Sequence, residues 1–165
     1  MPGSARPLNY STRVPVHQTV TECQSILAAA GAASVAVHFE DGEPAGLSFT
    51  LKTPHGTRSF TLPVDVEAMR RVLVQAEEDG KFAVTSKGTK AHTSAASRAA
   101  YTTREHAARV SWRVCKDWLE AVLALIAAKQ ASLPEVMLPY LHVDGERTLW
   151  QAYREREQAA IEAGG

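Results

Sequence analysis

Between residues 34 and 62 apolar and polar side chains alternate with a period of two, broken only where turn-forming residues cluster. The pattern predicts three antiparallel strands. Val35, Val37 and Phe39 share a face in the first, Leu47, Phe49 and Leu51 in the second, and Phe60 and Leu62 in the third. The opposite face carries His38, Ser48, Thr50, Lys52, Ser59 and Thr61. Asp41-Gly42-Glu43-Pro44 and Thr53-Pro54-His55-Gly56 supply the connections. Such a meander is apolar on one side and wet on the other, and a sheet this small needs helices over its apolar face.

On both sides of the meander the period is helical. Thr19 and Glu22 have capping-box spacing ahead of a helix over 20–30, whose stripe is Val20, Cys23, Ile26 and Leu27 and whose terminator is Gly31. A second helix is expected over 65–76, opened by Asp65, with Val66, Met69, Val72, Leu73 and Val74 as its apolar positions. Thr102 and Glu105 repeat the capping-box spacing before the longest helical stretch, over 102–130, which contains neither Gly nor Pro. Its stripe runs through Ala107, Val110, Ser111, Val114, Trp118, Ala121, Val122 and Leu125. A short apolar turn around Pro139 and a last helix over 148–162 complete the chain. The expected fold is α+β, in the order α-β-β-β-α-loop-α-α, with helices on one face of the sheet.

The N-terminus is poor in apolar residues and holds Pro2, Gly3, Ser4 and Pro7, so residues 1–11 read as a flexible arm, with an edge strand expected over 12–16. Residues 12–165 then read as a single domain, large enough to bury about two-thirds of its unfolded surface. The apolar content of 45% excludes a largely disordered chain. Absence of a run of about 18 apolar residues argues against a membrane span, and the start lacks the apolar stretch of a secretory signal. Two cysteines, Cys23 and Cys115, fit a reducing cytoplasmic compartment.

Eighteen basic residues balance eighteen acidic ones, but unevenly. Between residues 81 and 116 stand Lys81, Lys87, Lys90, Arg98, Arg104, Arg109, Arg113 and Lys116 against the single acid Glu105, a net of +7 that leaves −7 for the remainder. The first part of this tract, about 81–100, is rich in Ser, Thr and Gly and reads as a mobile basic loop. Arg109, Arg113, Lys116 and Glu120 follow at helical spacing, along one line of the long helix. A phosphodiester backbone rewards such a stripe through counterion release. With Phe82, Tyr101 and Trp112 as its only neighbouring aromatics, the tract favours backbone contacts over base readout. The competing reading pairs these cations with acidic patches of the same molecule or of a second subunit, notably Glu77-Glu78-Asp79 and residues 155–162.

Recognisable catalytic chemistry is sparse. There is no G-x-S-x-G elbow, P-loop or G-x-G-x-x-G, and His17, His38, His55, His92, His106 and His142 occur singly, without the i, i+4 pairing of a metal site. Asp117 and Glu120 have Arg113 and Lys116 as i, i+4 partners, which favours ion pairs over acid/base work. No catalytic residue, metal or cofactor is implied. Trp112 and Trp118 stand six residues apart, about 240° around a helix. Trp118 belongs to the core stripe, while Trp112 lies nearer its edge, where core packing is the preferred reading and contact with another element or a protein partner the alternative.

The segments NYSTRVPV, LSFTLKTPHG with FTLP, ARVSWRVCKDWLEA and VMLPYL resemble an uncharacterised family of bacteriophage and prophage proteins, over residues 9–153. That family has no established activity, so the resemblance implies a bacterial host cell and transfers no functional residue. The expectation is a non-enzymatic accessory protein that binds nucleic acid, single-stranded or without sequence specificity, through the basic loop and helix. The alternatives are a protein-binding or self-assembling module, directed at a host protein or at another copy of the chain, and an enzyme whose site is assembled from dispersed residues.

Overall fold

The computed structural model describes residues 6–82, 84–86, 89–91, 95–145 and 147–164, and no side chain between 83 and 94 or at Ser97. The elements are α1 (Val16–Ala29), β1 (Ser34–Glu40), β2 (Glu43–Thr53), β3 (Gly56–Pro63), α2 (Val66–Glu78), β4 (Val84–Ser86), β5 (Thr89–Ala91), α3 (Ala95–Ala100), α4 (Arg104–Ala127), α5 (Leu133–Met137), a 3-10 turn (Leu138–Tyr140), β6 (His142–Asp144), β7 (Arg147–Thr148) and α6 (Leu149–Ala163). The fold is α+β, with a three-stranded antiparallel sheet in the order β1-β2-β3. By its contacts the chain divides into two compact units: residues 1–21 with 64–117, and 22–63 with 118–165. Two of the three divisions fall inside α1 and α4, where no linker signal can mark them, and the third lies between β3 and α2.

The first unit is built on Leu73 and Ala76 of α2, Phe82, and Ala107 and Val110 of α4, with Tyr10, Val66, Met69, Tyr101 and Val114 packed around them. Asp65 caps α2 as its sequence predicts, accepting from the Ala68 N–H at 2.8 Å. α4 is capped one residue later than expected, by Thr103, whose hydroxyl accepts from the His106 N–H at 3.1 Å. α1 begins at Val16, not at residue 20. Pro15 sets the start, its carbonyl accepting from the Thr19 N–H at 3.3 Å, so Thr19 is a fully buried interior residue and no strand forms over 12–16. The stretch expected as a loop over 81–100 holds the β4–β5 hairpin and α3; Lys87 lies outside the described residues.

In the second unit Leu47, Phe49, Leu51, Phe60 and Leu62 are buried, as are Cys23, Leu27, Leu119, Val122 and Met137 from the helices. The alternation read from the sequence therefore puts the intended sheet face inward, with Phe49 and Phe60 stacked as cross-strand neighbours at 5.4 Å. β3 is closed on its outer side by a bridge between Phe60 and Leu141, next to β6. Gly46 lies where β2 and β3 approach closely: a Cβ there would stand 2.7 Å from the Leu62 carbonyl oxygen, a backbone atom. Gly46→Ala is therefore expected to lower stability by about 1–3 kcal/mol, the range for overpacking, read as a fall in the urea midpoint with unchanged slope.

Candidate functional site

The charges divide with the units. Residues 1–21 and 64–117 contain twelve basic and seven acidic side chains, a net of +5, and the second unit carries six against eleven, a net of −5. The basic unit is the candidate site, and its cations fall into two groups.

Four of the eight residues that define the basic tract are paired at close range. Lys81 stands 3.2 Å from Asp79, Arg98 3.1 Å from Glu77, Arg104 3.2 Å from Glu67 and Arg109 2.6 Å from Glu105. Glu67 also faces Arg70 at 3.7 Å, so one carboxylate serves two guanidinium groups. Asp79 is a sequence neighbour of Lys81, whereas Glu77 and Glu67 of α2 reach Arg98 and Arg104 only through the fold. Arg113 and Lys116 are half-buried, and both make contacts. The side chain of Lys90, like all of Lys87, lies outside the described residues.

The second group was not among the sequence candidates. Arg6, Arg13 and Arg71 make no ion pair among the described residues, and all three are exposed. Arg71 lies with Lys81 and Asp79 on an open cleft of about 420 Å³ between α2 and Pro7. Arg6 donates from Nε to the Lys81 carbonyl at 2.9 Å and from Nη1 to the Tyr10 hydroxyl at 3.1 Å. The signal for Arg6 and Arg13 was present: two cations and no acid in the first thirteen residues.

Residues 6–11, expected within the arm, pack against this unit. Tyr10 stacks on Phe82 at 5.1 Å and meets Tyr101 edge-on, and Asn9 donates to the Asp117 carboxylate at 2.7 Å. The Tyr10 carbonyl accepts from His106 Nε2 at 2.6 Å. Because a carbonyl only accepts, the neutral ring carries its hydrogen on Nε2 and leaves Nδ1 facing Arg109 Nη2 at 3.4 Å. Burial holds the pKa of His106 below its ordinary 6.5; the hydrogen bond to Tyr10 and the charge of Glu105 oppose this, and Arg109 reinforces it.

The unfolded chain thus takes up the proton at a higher pH than the folded one, so stability falls as pH drops from 6.5 through the lowered pKa. Urea unfolding between about pH 6.5 and 5 is expected to show a steeper acid loss for the native chain than for His106→Gln, which cannot protonate. Equal pH slopes would contradict this.

Trp112 is fully buried, which removes it as an interface residue. The long helix is buried over a broad arc that includes His106, Ala107, Val110, Ser111 and Trp112, while Trp118 is only half-buried and meets Tyr140 edge-on at 5.7 Å. Core packing, the preferred reading of Trp112, is what the structure shows, and Trp118 lies nearer the edge of the buried arc than its spacing suggested. Phe82 is fully buried as well, and Tyr10 and Tyr101 pack on it, so the aromatics near the tract are engaged in packing.

The polar face of the sheet holds one further network. His38 Nε2 meets Ser48 Oγ, Ser48 Oγ meets Thr61 Oγ1 at 2.8 Å, and Thr61 Oγ1 meets His142 Nε2 at 2.6 Å. Two hydroxyls supply two hydrogens for three contacts, so at least one of the two imidazoles must donate from Nε2. Ser48 sits within a strand, without the turn or helix terminus that presents a nucleophile. Among the described residues no three His, Cys, Asp or Glu side chains are grouped to hold a metal, and no helix is long and apolar enough to cross a membrane.

The chain matches no known protein family, curated protein or solved structure significantly. The residues and their geometry therefore carry the functional argument.

Proposed function

We propose that this chain is a non-enzymatic accessory protein of the phage type that binds nucleic acid without sequence specificity, through phosphate contacts to its basic unit. The observation that carries the reading is the +5 excess of that unit, together with Arg6, Arg13 and Arg71, whose charges no carboxylate neutralises among the described residues. A polyanion that meets such a surface releases its counterions, whereas a cation already held by a carboxylate gains less. Phosphate contact therefore centres on these three arginines, with Lys81, Arg98, Arg104, Arg109, Arg113 and Lys116 contributing to the field of the same unit.

The packed state of Tyr10, Phe82, Tyr101 and Trp112 removes the stacking platform that a preference for single strands requires. Single and double strands are accordingly bound with similar salt dependence. The test is fluorescence anisotropy with labelled single- and double-stranded DNA at two salt concentrations. Binding to both that weakens steeply with salt is the expected result; binding to neither at low salt would overturn the proposal.

A further inference from the structure

The sheet is finished on one side only. β3 has Leu141 and β6 along its outer edge, whereas β1 pairs with β2 alone among the described strands. Burial of the apolar face falls off in the same direction. Leu47, Phe49 and Leu51 of β2 are at most 4% exposed, Val35 and Val37 of β1 are half-buried, and Phe39 is 63% exposed. An edge strand with free backbone donors and acceptors is a template for another strand, and natural edges are blunted with Lys, Pro or a bulge. β1, Ser-Val-Ala-Val-His-Phe-Glu, has neither Lys nor Pro. The register shift beside His38 leaves the extra residue, Ala45, on β2, so β1 keeps its alternation through Phe39.

We propose that the occupant of this edge is β1 of a second copy, paired antiparallel about Val37, so that two three-stranded sheets become one of six strands. The strand is suited to pairing with itself. A two-fold axis at Val37 sets Val35 opposite the partner's Phe39 and Val37 opposite the partner's Val37 on the apolar face. On the polar face it sets Ala36 opposite the partner's His38. Glu40, the only charged side chain of β1, falls opposite the partner's Ser34, so no like charges meet. The exposed Phe39 gains a β-branched cross-strand neighbour, and the pairing is isologous and closed, which limits assembly to a dimer. This interface involves the second unit and stands independently of nucleic-acid binding.

Light scattering on the full chain over a concentration series is expected to show a species of twice the monomer mass. Phe39→Lys, at a position already open to solvent, is expected to weaken the dimer at least tenfold while leaving the thermal unfolding of the monomer in place. A short thiol cross-linker should join two copies of Val37→Cys, whose side chains face each other across the axis. It should not join Ser34→Cys above the background of the native cysteines, since those positions lie about 20 Å apart along the paired strands. A chain that stays monomeric throughout the series, a dimer unaffected by Phe39→Lys, or cross-linking at Ser34→Cys without cross-linking at Val37→Cys would each overturn the proposal.

Discussion

Trp112→Ala is expected to remove about 3–5 kcal/mol of stability, the range for deleting a large buried aromatic, against a total of about 5–15 kcal/mol for a folded chain of this kind. The side chain is fully buried in the middle of the longest helix, so truncation leaves a cavity that the helix cannot close by a small shift. The comparison with Trp118→Ala makes the result decisive. Trp118 is half-buried, and its loss is expected to cost about 1–2 kcal/mol, since less area leaves water. Urea unfolding monitored by circular dichroism reads both. If Trp118→Ala proved the more damaging, the burial assigned to α4 would be wrong and Trp112 would return as a surface residue.

The second large effect concerns binding. Reversing Arg13 and Arg71 together to Glu takes the basic unit from +5 to +1, and neither side chain makes a hydrogen bond or ion pair among the described residues. The fold should be unaffected, because exposed substitutions without partners usually change stability by less than about 0.5 kcal/mol. Affinity for DNA is expected to fall at least tenfold at low salt, and the salt dependence to become shallower by about two phosphate contacts. The contrasting variant is Arg104→Glu. Arg104 is already matched by Glu67, which Arg70 shares, so its reversal disturbs an existing pair and should weaken binding less. A larger loss from Arg104→Glu than from the double reversal would return the site to the contiguous tract.

The sheet was readable in the sequence because its signal is local. Val35, Leu47, Phe49, Phe60 and their alternating neighbours need only a period of two to declare a face, Asp65 caps α2 where the sequence puts it, and α6 begins within one residue of its expected start, capped by Thr148. Where two signals competed, the sequence was ambiguous. Thr19 with Glu22 has the spacing of a cap, yet Pro15 four residues earlier is the real boundary. Thr102 with Glu105 likewise gives way to Thr103.

The site was less readable, for a physical reason. Net charge along a segment does not fix which acids return to it in space: the patch Glu77-Glu78-Asp79 was legible as a partner and does hold Lys81 and Arg98, but nothing in the sequence pointed to Glu67, which reaches Arg104 across 37 residues. The line of His38, Ser48, Thr61 and His142 is of the same kind, since His142 comes to Thr61 from 81 residues away. Helical spacing alone also cannot say how wide a buried arc will be. That is why Trp112, placed at the edge of the stripe by its spacing, lies fully inside it, and Trp118 is only half-buried.

The most direct test of the account is the salt dependence of binding by the unaltered chain. With about four phosphates contacted, affinity for a DNA oligonucleotide is expected to fall about a hundredfold between roughly 50 and 200 mM salt, for single and double strands alike. Undetectable binding at the lower salt, or binding unchanged between the two, would contradict the assignment of the basic unit to a polyanion.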